Sequence, residues 1–243
     1  MPAMSQDRIV AITGGAGALG SALAAHLVAE GYRVALLDVD RSKERVAQLV
    51  AKLGAERAVG HTGDFGEAAT WTAALGAIVK AFGAPPSHGA LIAGGWDGGT
   101  PLHEAKDDTA YEKMMSSNVD TAYRALRALL PAMVASKHGS IVVVGSRVVE
   151  RPWTSGGAAA YAASKAAVVA MAQAVAKEVL DHGVRINAIL PSTMDTPANR
   201  AAMPDADPAK WVALDSASAV IAFLLSEAAR DVSGAALPVY GRA

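Results

Sequence analysis

Apolar residues in this chain follow two rhythms. Short β-branched runs lie at Ile9–Ile12, Arg33–Leu37, Ala58–His61, Ala90–Ala93, Ser140–Val144, Arg185–Leu190 and Ala236–Val239. Between them lie long alanine-rich segments with apolar positions at helical spacing, near Ala18–Glu30, Ser42–Leu53, Glu67–Phe82, Thr109–Ser136, Ala158–His182 and Asp215–Ser226. Strand and helix in steady alternation predict an α/β domain, a parallel sheet covered by helices on both faces. The unbroken run Ile141-Val142-Val143-Val144 suits a strand buried on both sides. The expectation is a doubly wound sheet of about seven strands in one domain spanning 1–243. Two stretches break the rhythm. One, 94–109, is rich in Gly and Asp; the other, 191–211, contains Pro191, Pro197, Pro204 and Pro208. Each follows the carboxyl end of a predicted strand, where ligands bind in such sheets. The second is expected to form a substrate-side loop or lid near 191–212.

Composition narrows the chemistry. Apolar residues make up 52% of the 243, enough for a sizeable core. The net charge of -1, with Lys and Arg scattered, leaves no footprint for nucleic acid or an anionic membrane. With no cysteine, disulfides, thiolate metal sites and cysteine nucleophiles are excluded. Met1 to Arg8 lack the apolar run of a signal peptide, and no stretch approaches the roughly 18 uninterrupted apolar residues of a membrane span. A cytoplasmic protein is expected.

The first strand runs into Thr13-Gly14-Gly15-Ala16-Gly17-Ala18-Leu19-Gly20 and then a helix. Gly15, Gly17 and Gly20 satisfy G-x-G-x-x-G, whose amides and helix N-terminus can hold a pyrophosphate. In a chain with 23 glycines such a match also arises in ordinary turns; the strand before and the helix after favour a dinucleotide and a Rossmann-type sheet. Asp38 ends the second strand, near the roughly 20-residue spacing of a ribose-binding acid. A carboxylate there accepts from the adenosine 2′-hydroxyl and repels a 2′-phosphate, favouring NAD(H), with NADP(H) not excluded. Arg41 lies close enough to pair with Asp38 or Asp40, or to reach a phosphate.

Tyr161 and Lys165 stand four apart at the start of a long helix and project together. A nearby ammonium is expected to lower the tyrosine's pKa toward neutrality, making it a proton donor and acceptor at a carbonyl or alcohol oxygen. Ser146, just beyond a strand, could hydrogen-bond the same oxygen. Asn118 could hold a water that relays protons to Lys165. Tyr and Lys at this spacing also occur on solvated helix faces, so the pair alone does not decide.

Together these residues resemble the short-chain dehydrogenase/reductase family from end to end. Thr13-Gly14 through Gly20 resembles its T-G-x-x-x-G-x-G turn, with Ala18 at the usual second glycine. Asn118, Ser146, Tyr161 and Lys165 match the family's tetrad residue by residue. Asp64 resembles its adenine-side acid, and Pro191 through Thr196, with Thr193, its nicotinamide-carboxamide segment P-G-x-x-x-T. The resemblance implies that Gly14, Gly15, Gly17, Ala18, Leu19, Gly20, Asp38, Asp64, Ala93, Gly94, Tyr161, Lys165, Pro191, Thr193 and Thr196 hold the cofactor. It also implies a homotetramer or homodimer packed through the helices at 109–136 and 158–182. Four departures stand out. Ile92-Ala93-Gly94-Gly95 replaces N-N-A-G, Ser192 replaces glycine, the interval from Ser146 to Tyr161 is longer than usual, and Val239-Tyr240-Gly241-Arg242 lacks the acid-glycine-glycine ending.

Ala93 through Gly99, with Trp96, and Leu190 through Trp211 are similar to dihydropteridine reductases. Those enzymes dispense with the serine and asparagine retained here. The reading is therefore hydride transfer between a nicotinamide and a small carbonyl or alcohol. NADH-dependent reduction of a quinonoid ring is the alternative, and a non-catalytic dinucleotide sensor the second. The six histidines show no metal-ligand spacing and are read as surface or loop residues, with no metal site expected.

Overall fold

The structure, a computed structural model, describes residues 8–242. All but the last residue of the segment read for a signal peptide, Met1 to Arg8, lies outside them. Seven strands form one sheet: β1 (Ile9–Thr13), β2 (Arg33–Asp38), β3 (Ala58–Thr62), β4 (His88–Leu91), β5 (Gly139–Val144), β6 (Val184–Pro191) and β7 (Ala236–Val239). All neighbours are parallel, in the order β3-β2-β1-β4-β5-β6-β7. The helices are α1 (Ala18–Ala29), α2 (Lys43–Leu53), α3 (Ala68–Phe82), α4 (Thr109–Met114), α5 (Thr121–Ser136), α6 (Ala159–Val179), α7 (Pro197–Ala202) and α8 (Leu214–Leu225).

Alternation along β1 shows why both faces need cover. Ile9 and Ala11 join a core layer with Trp71 and Ile78 of α3, Leu129 of α5 and Val168 of α6. Val10 and Ile12 join the opposite layer with Leu23 and Leu27 of α1, Val46 of α2 and Ile221 and Leu225 of α8. The chain starts mid-sheet, winds outward to β3, then crosses back to β4 and winds the other way. The reversal between β1 and β4 leaves a crevice at their carboxyl ends.

Four details differ from the sequence expectation. β4 begins and ends two residues early, because the Ile92 and Ala93 amides turn to the Thr13 hydroxyl, both at 3.1 Å, and leave the ladder. The helix expected over 109–136 runs through, but as α4 and α5 joined by a π-helical turn, Met115–Asp120, with helical backbone at both junctions. Part of the proline-rich stretch is helical: Pro197 opens α7, with the Thr196 hydroxyl accepting from the Asn199 amide at 3.1 Å. His88 is buried in β4, edge-on to Tyr32 and His138, each 5.7 Å between centroids. Its imidazole replaces solvent with ring contacts and the Ser87 hydroxyl, 2.8 Å from Nδ1.

Candidate functional site

The turn after β1 is built for close approach. Gly14 has φ +67°, a left-handed conformation, and the Gly17 amide donates back to its carbonyl at 3.0 Å. Gly20 lies so near that a Cβ there would stand 2.2 Å from the Gly14 oxygen. Gly15 donates to the Leu37 carbonyl at 3.2 Å, which seats the turn on β2. No side chain caps α1, and its first turn has no acidic residue. Its leading amides, with the positive helix end, therefore form a cradle for an anionic group. The Leu19 side chain is buried in the core, so only its backbone faces that cradle. At the rim, Asp38 accepts from the Ala16 amide at 2.9 Å through Oδ2 and from Val39 at 2.8 Å through Oδ1. Asp64, beyond β3, is exposed, with Oδ1 accepting from Gly66 at 2.7 Å. The donor set fits a dinucleotide: uncapped amides for a pyrophosphate, and a carboxylate beside them for a ribose.

The second half lies past β4 and β5. Lys165, on α6, is buried, and its ammonium donates to the Val144 carbonyl at 2.9 Å. Burial holds its pKa down at about 8. Tyr161 stands one turn earlier on α6, with the Ser146 hydroxyl near enough to bear on its proton. The expected shift toward neutrality is corrected: burial raises the tyrosine's pKa and the nearby Ser146 hydroxyl opposes that only in part. The Lys165 ammonium is turned to a backbone carbonyl instead. Ser146 itself caps a short 3-10 turn, accepting from Val148 at 3.4 Å.

Asn118 sits in the π-helical turn, buried, with its amide engaged by protein. Oδ1 accepts from the Gly95 amide at 2.9 Å, and Nδ2 donates to Ser164 Oγ at 2.9 Å and to the Gly95 carbonyl at 3.2 Å. It pins the loop after β4 against α6, and this is the part the geometry gives it. Gly94 lies between the two: a Cβ would stand 2.5 Å from Asn118 Oδ1 and 3.3 Å from Lys165 Nζ. Ala93 meets the glycine turn: a Cβ on Gly14 would stand 3.1 Å from the Ala93 nitrogen.

Past β6, Pro191 ends the strand, buried, and Thr193 accepts from Val212 through its carbonyl at 2.9 Å. Asp195 and Arg200 form a two-pronged pair at 2.6 and 2.8 Å. Trp96 and Trp153 are exposed, on the loops after β4 and β5.

Two contacts escaped the sequence reading, which had Thr13 only as the start of the glycine turn and did not single out Ser164. Thr13 ties the loop after β4 to the glycine turn. Ser164 bridges Asn118 to the Tyr161 carbonyl, donating to it at 2.8 Å. A serine on the inward face of an alanine-rich helix was the available signal, since a buried hydroxyl needs a partner.

The family described as short chain dehydrogenase matches residues 8–207. The chain is 32% identical over 257 residues to a 2,5-dichloro-2,5-cyclohexadiene-1,4-diol dehydrogenase of Sphingobium indicum, covering 96% of this chain and 95% of that protein. It is 37% identical over 195 residues to a cis-2,3-dihydrobiphenyl-2,3-diol dehydrogenase of Pseudomonas, 78% of this chain and 67% of that one. A solved 3-oxoacyl-[acyl-carrier protein] reductase with bound NAD, from Brucella melitensis, superposes with a TM-score of 0.82 at 25% identity, over 98% of this chain and 91% of that one.

Proposed function

Because the chain belongs to the short-chain dehydrogenase family, we propose that it is an oxidoreductase interconverting an alcohol and a carbonyl with a nicotinamide dinucleotide, Tyr161 exchanging the proton. The observation that carries this is Tyr161 one helical turn from buried Lys165 on α6, with Gly94 packed against the Lys165 ammonium and Ala93 against the glycine turn that opens α1. The bound nicotinamide would supply or accept the hydride.

Tyr161, kept protonated by burial, donates to the substrate oxygen during reduction. Oxidation needs its phenolate and so gains rate as pH rises. Ser146 donates to the same oxygen, Lys165 orients the tyrosine's surroundings, and Asn118 holds Gly95 in place. Gly14, Gly15, Gly17, Ala18, Leu19 and Gly20 would hold the pyrophosphate through the backbone. Ala93, Gly94, Pro191, Thr193 and Thr196 would border the nicotinamide, with Asp64 toward the adenine. The Asp38 carboxylate at the rim favours a free 2′-hydroxyl, hence NAD(H). The diol dehydrogenases that the chain resembles point to a hydroxyl on a carbon ring, and Trp96 and Trp153 offer flat apolar faces for one.

The test is turnover by the purified protein of ring alcohols with NAD+ or NADP+, and of cyclic ketones and quinonoid dihydropterin with NADH. Ring-alcohol oxidation with NAD+, faster as pH rises, is expected. Tyr161→Phe should lower kcat by about a hundredfold or more while cofactor affinity changes little. Dihydropterin turned over faster than any carbonyl would make this a ring reductase. Cofactor bound with no turnover would make it a sensor.

A further inference from the structure

The C-terminal residues join three segments around the substrate side. β7 lies beside β6, and the Val239 carbonyl accepts from the Ser192 amide at 3.0 Å. The Tyr240 carbonyl accepts from Ser192 Oγ at 2.7 Å. The Tyr240 phenol donates to Glu150 Oε2, and the Arg151 guanidinium lies 5.4 Å from its ring centroid. The Arg242 amide donates to the Lys210 carbonyl at 3.0 Å. The tail thus touches the exit of β6, the far end of the substrate-side loop, and the loop carrying Ser146.

These contacts use the positions where the chain departs from the family pattern. Ser192 stands where a glycine would have no hydroxyl. The longer interval between Ser146 and Tyr161 contains Glu150 and Arg151. Tyr240 belongs to the ending that lacks acid-glycine-glycine. The three are far apart in sequence, yet Tyr240 touches both of the others, Ser192 through its backbone carbonyl and Glu150 through its phenol.

We infer that Tyr240 is a positioning residue: it ties the Ser146 loop to the Ser192 segment and sets their separation across the substrate side. This rests on the oxidoreductase reading. The phenol–carboxylate bond is charge-assisted and directional, so it fixes one loop geometry. Its partners are exposed, so its effect is on loop position more than on global stability.

Tyr240→Phe removes only the hydroxyl and keeps the ring and the backbone bond from Ser192. In the full-length protein, amide exchange at Val148, Val149 and Arg151 should quicken. With the best substrate, kcat should fall about tenfold, since small misplacements of a reacting group are costly. NADH affinity, followed by its fluorescence, should hold. Glu150→Ala should match Tyr240→Phe, Glu150→Gln should keep an acceptor and most of the rate, and the double variant Tyr240→Phe/Glu150→Ala should be no worse than either single one. Unchanged exchange and kcat in both Tyr240→Phe and Glu150→Ala, or losses that multiply in the double variant, would overturn the inference. If no substrate turns over at all, the oxidoreductase reading falls, while amide exchange still reads the tie.

Discussion

Tyr161, Lys165 and His88 respond to burial in the one way physics allows: each is pushed toward its neutral form. The acid's pKa rises, and the two bases fall, Lys165 to about 8 and His88 to about 3. For His88 burial is the main cause, followed by the His138, Arg185 and Arg8 charges. An unfolded histidine takes up its proton near pH 6.5, so between about 6.5 and 3 the unfolded chain binds more protons than the folded one. His88 therefore contributes stability above pH 6.5 that is lost as pH falls through this window, by about 1.4 kcal/mol per pH unit. Urea unfolding at pH 7 and 4.5 should show this loss. A His88→Asn variant should be less stable at pH 7 and lose less on acidification. Equal pH slopes in the two proteins would remove His88 as the cause.

At the scale of elements, most of the architecture follows from repeating local patterns. Apolar runs became strands and alanine-rich stretches became helices, within a residue or two for β1, β2 and α3. The departures come from side chains reaching across elements. Thr13 draws Ile92 and Ala93 out of β4, and the π-helical turn coincides with Asn118, whose amide grips Gly95. Gly94 lies tight between Asn118 and Lys165. Gly94→Ala would place a methyl 2.5 Å from Asn118 Oδ1. The expected result is a loss of about 1–3 kcal/mol in unfolding free energy, with kcat lower by about tenfold or more. Unaltered kcat in Gly94→Ala would mean that Asn118 moves freely, contrary to its role as a clamp.

The whole molecule leaves one apolar element partly uncovered. The helix Ala159–His182 is by length and composition apolar enough to cross a membrane, yet its inward face is buried against the sheet. It carries Tyr161 and Lys165 and packs on β6 and β5, so it belongs to the core of the fold. The oligomer that the family resemblance implies would cover its outward face, which has α5 and exposed Tyr123 beside it. Light scattering at micromolar concentration should therefore give a homodimer or homotetramer. A monomer across that range would refute this.

What was legible in the sequence is whatever neighbouring positions encode. Strand and helix periodicity, the glycine turn leading into α1, Asp38 ending β2, and Tyr161 and Lys165 one turn apart all depend on residues a few places from one another, and backbone geometry fixes those relations. What tertiary structure alone decided depends on segments far apart in the chain. The nearness of Ser146 to Tyr161, the hold of Asn118 on Gly95 and Ser164, the burial of His88 and the Tyr240 tie follow from strand order and layer packing. So does the rise in the tyrosine's pKa, because the burial around a side chain is set by which layers close over it, and no local spacing carries that information.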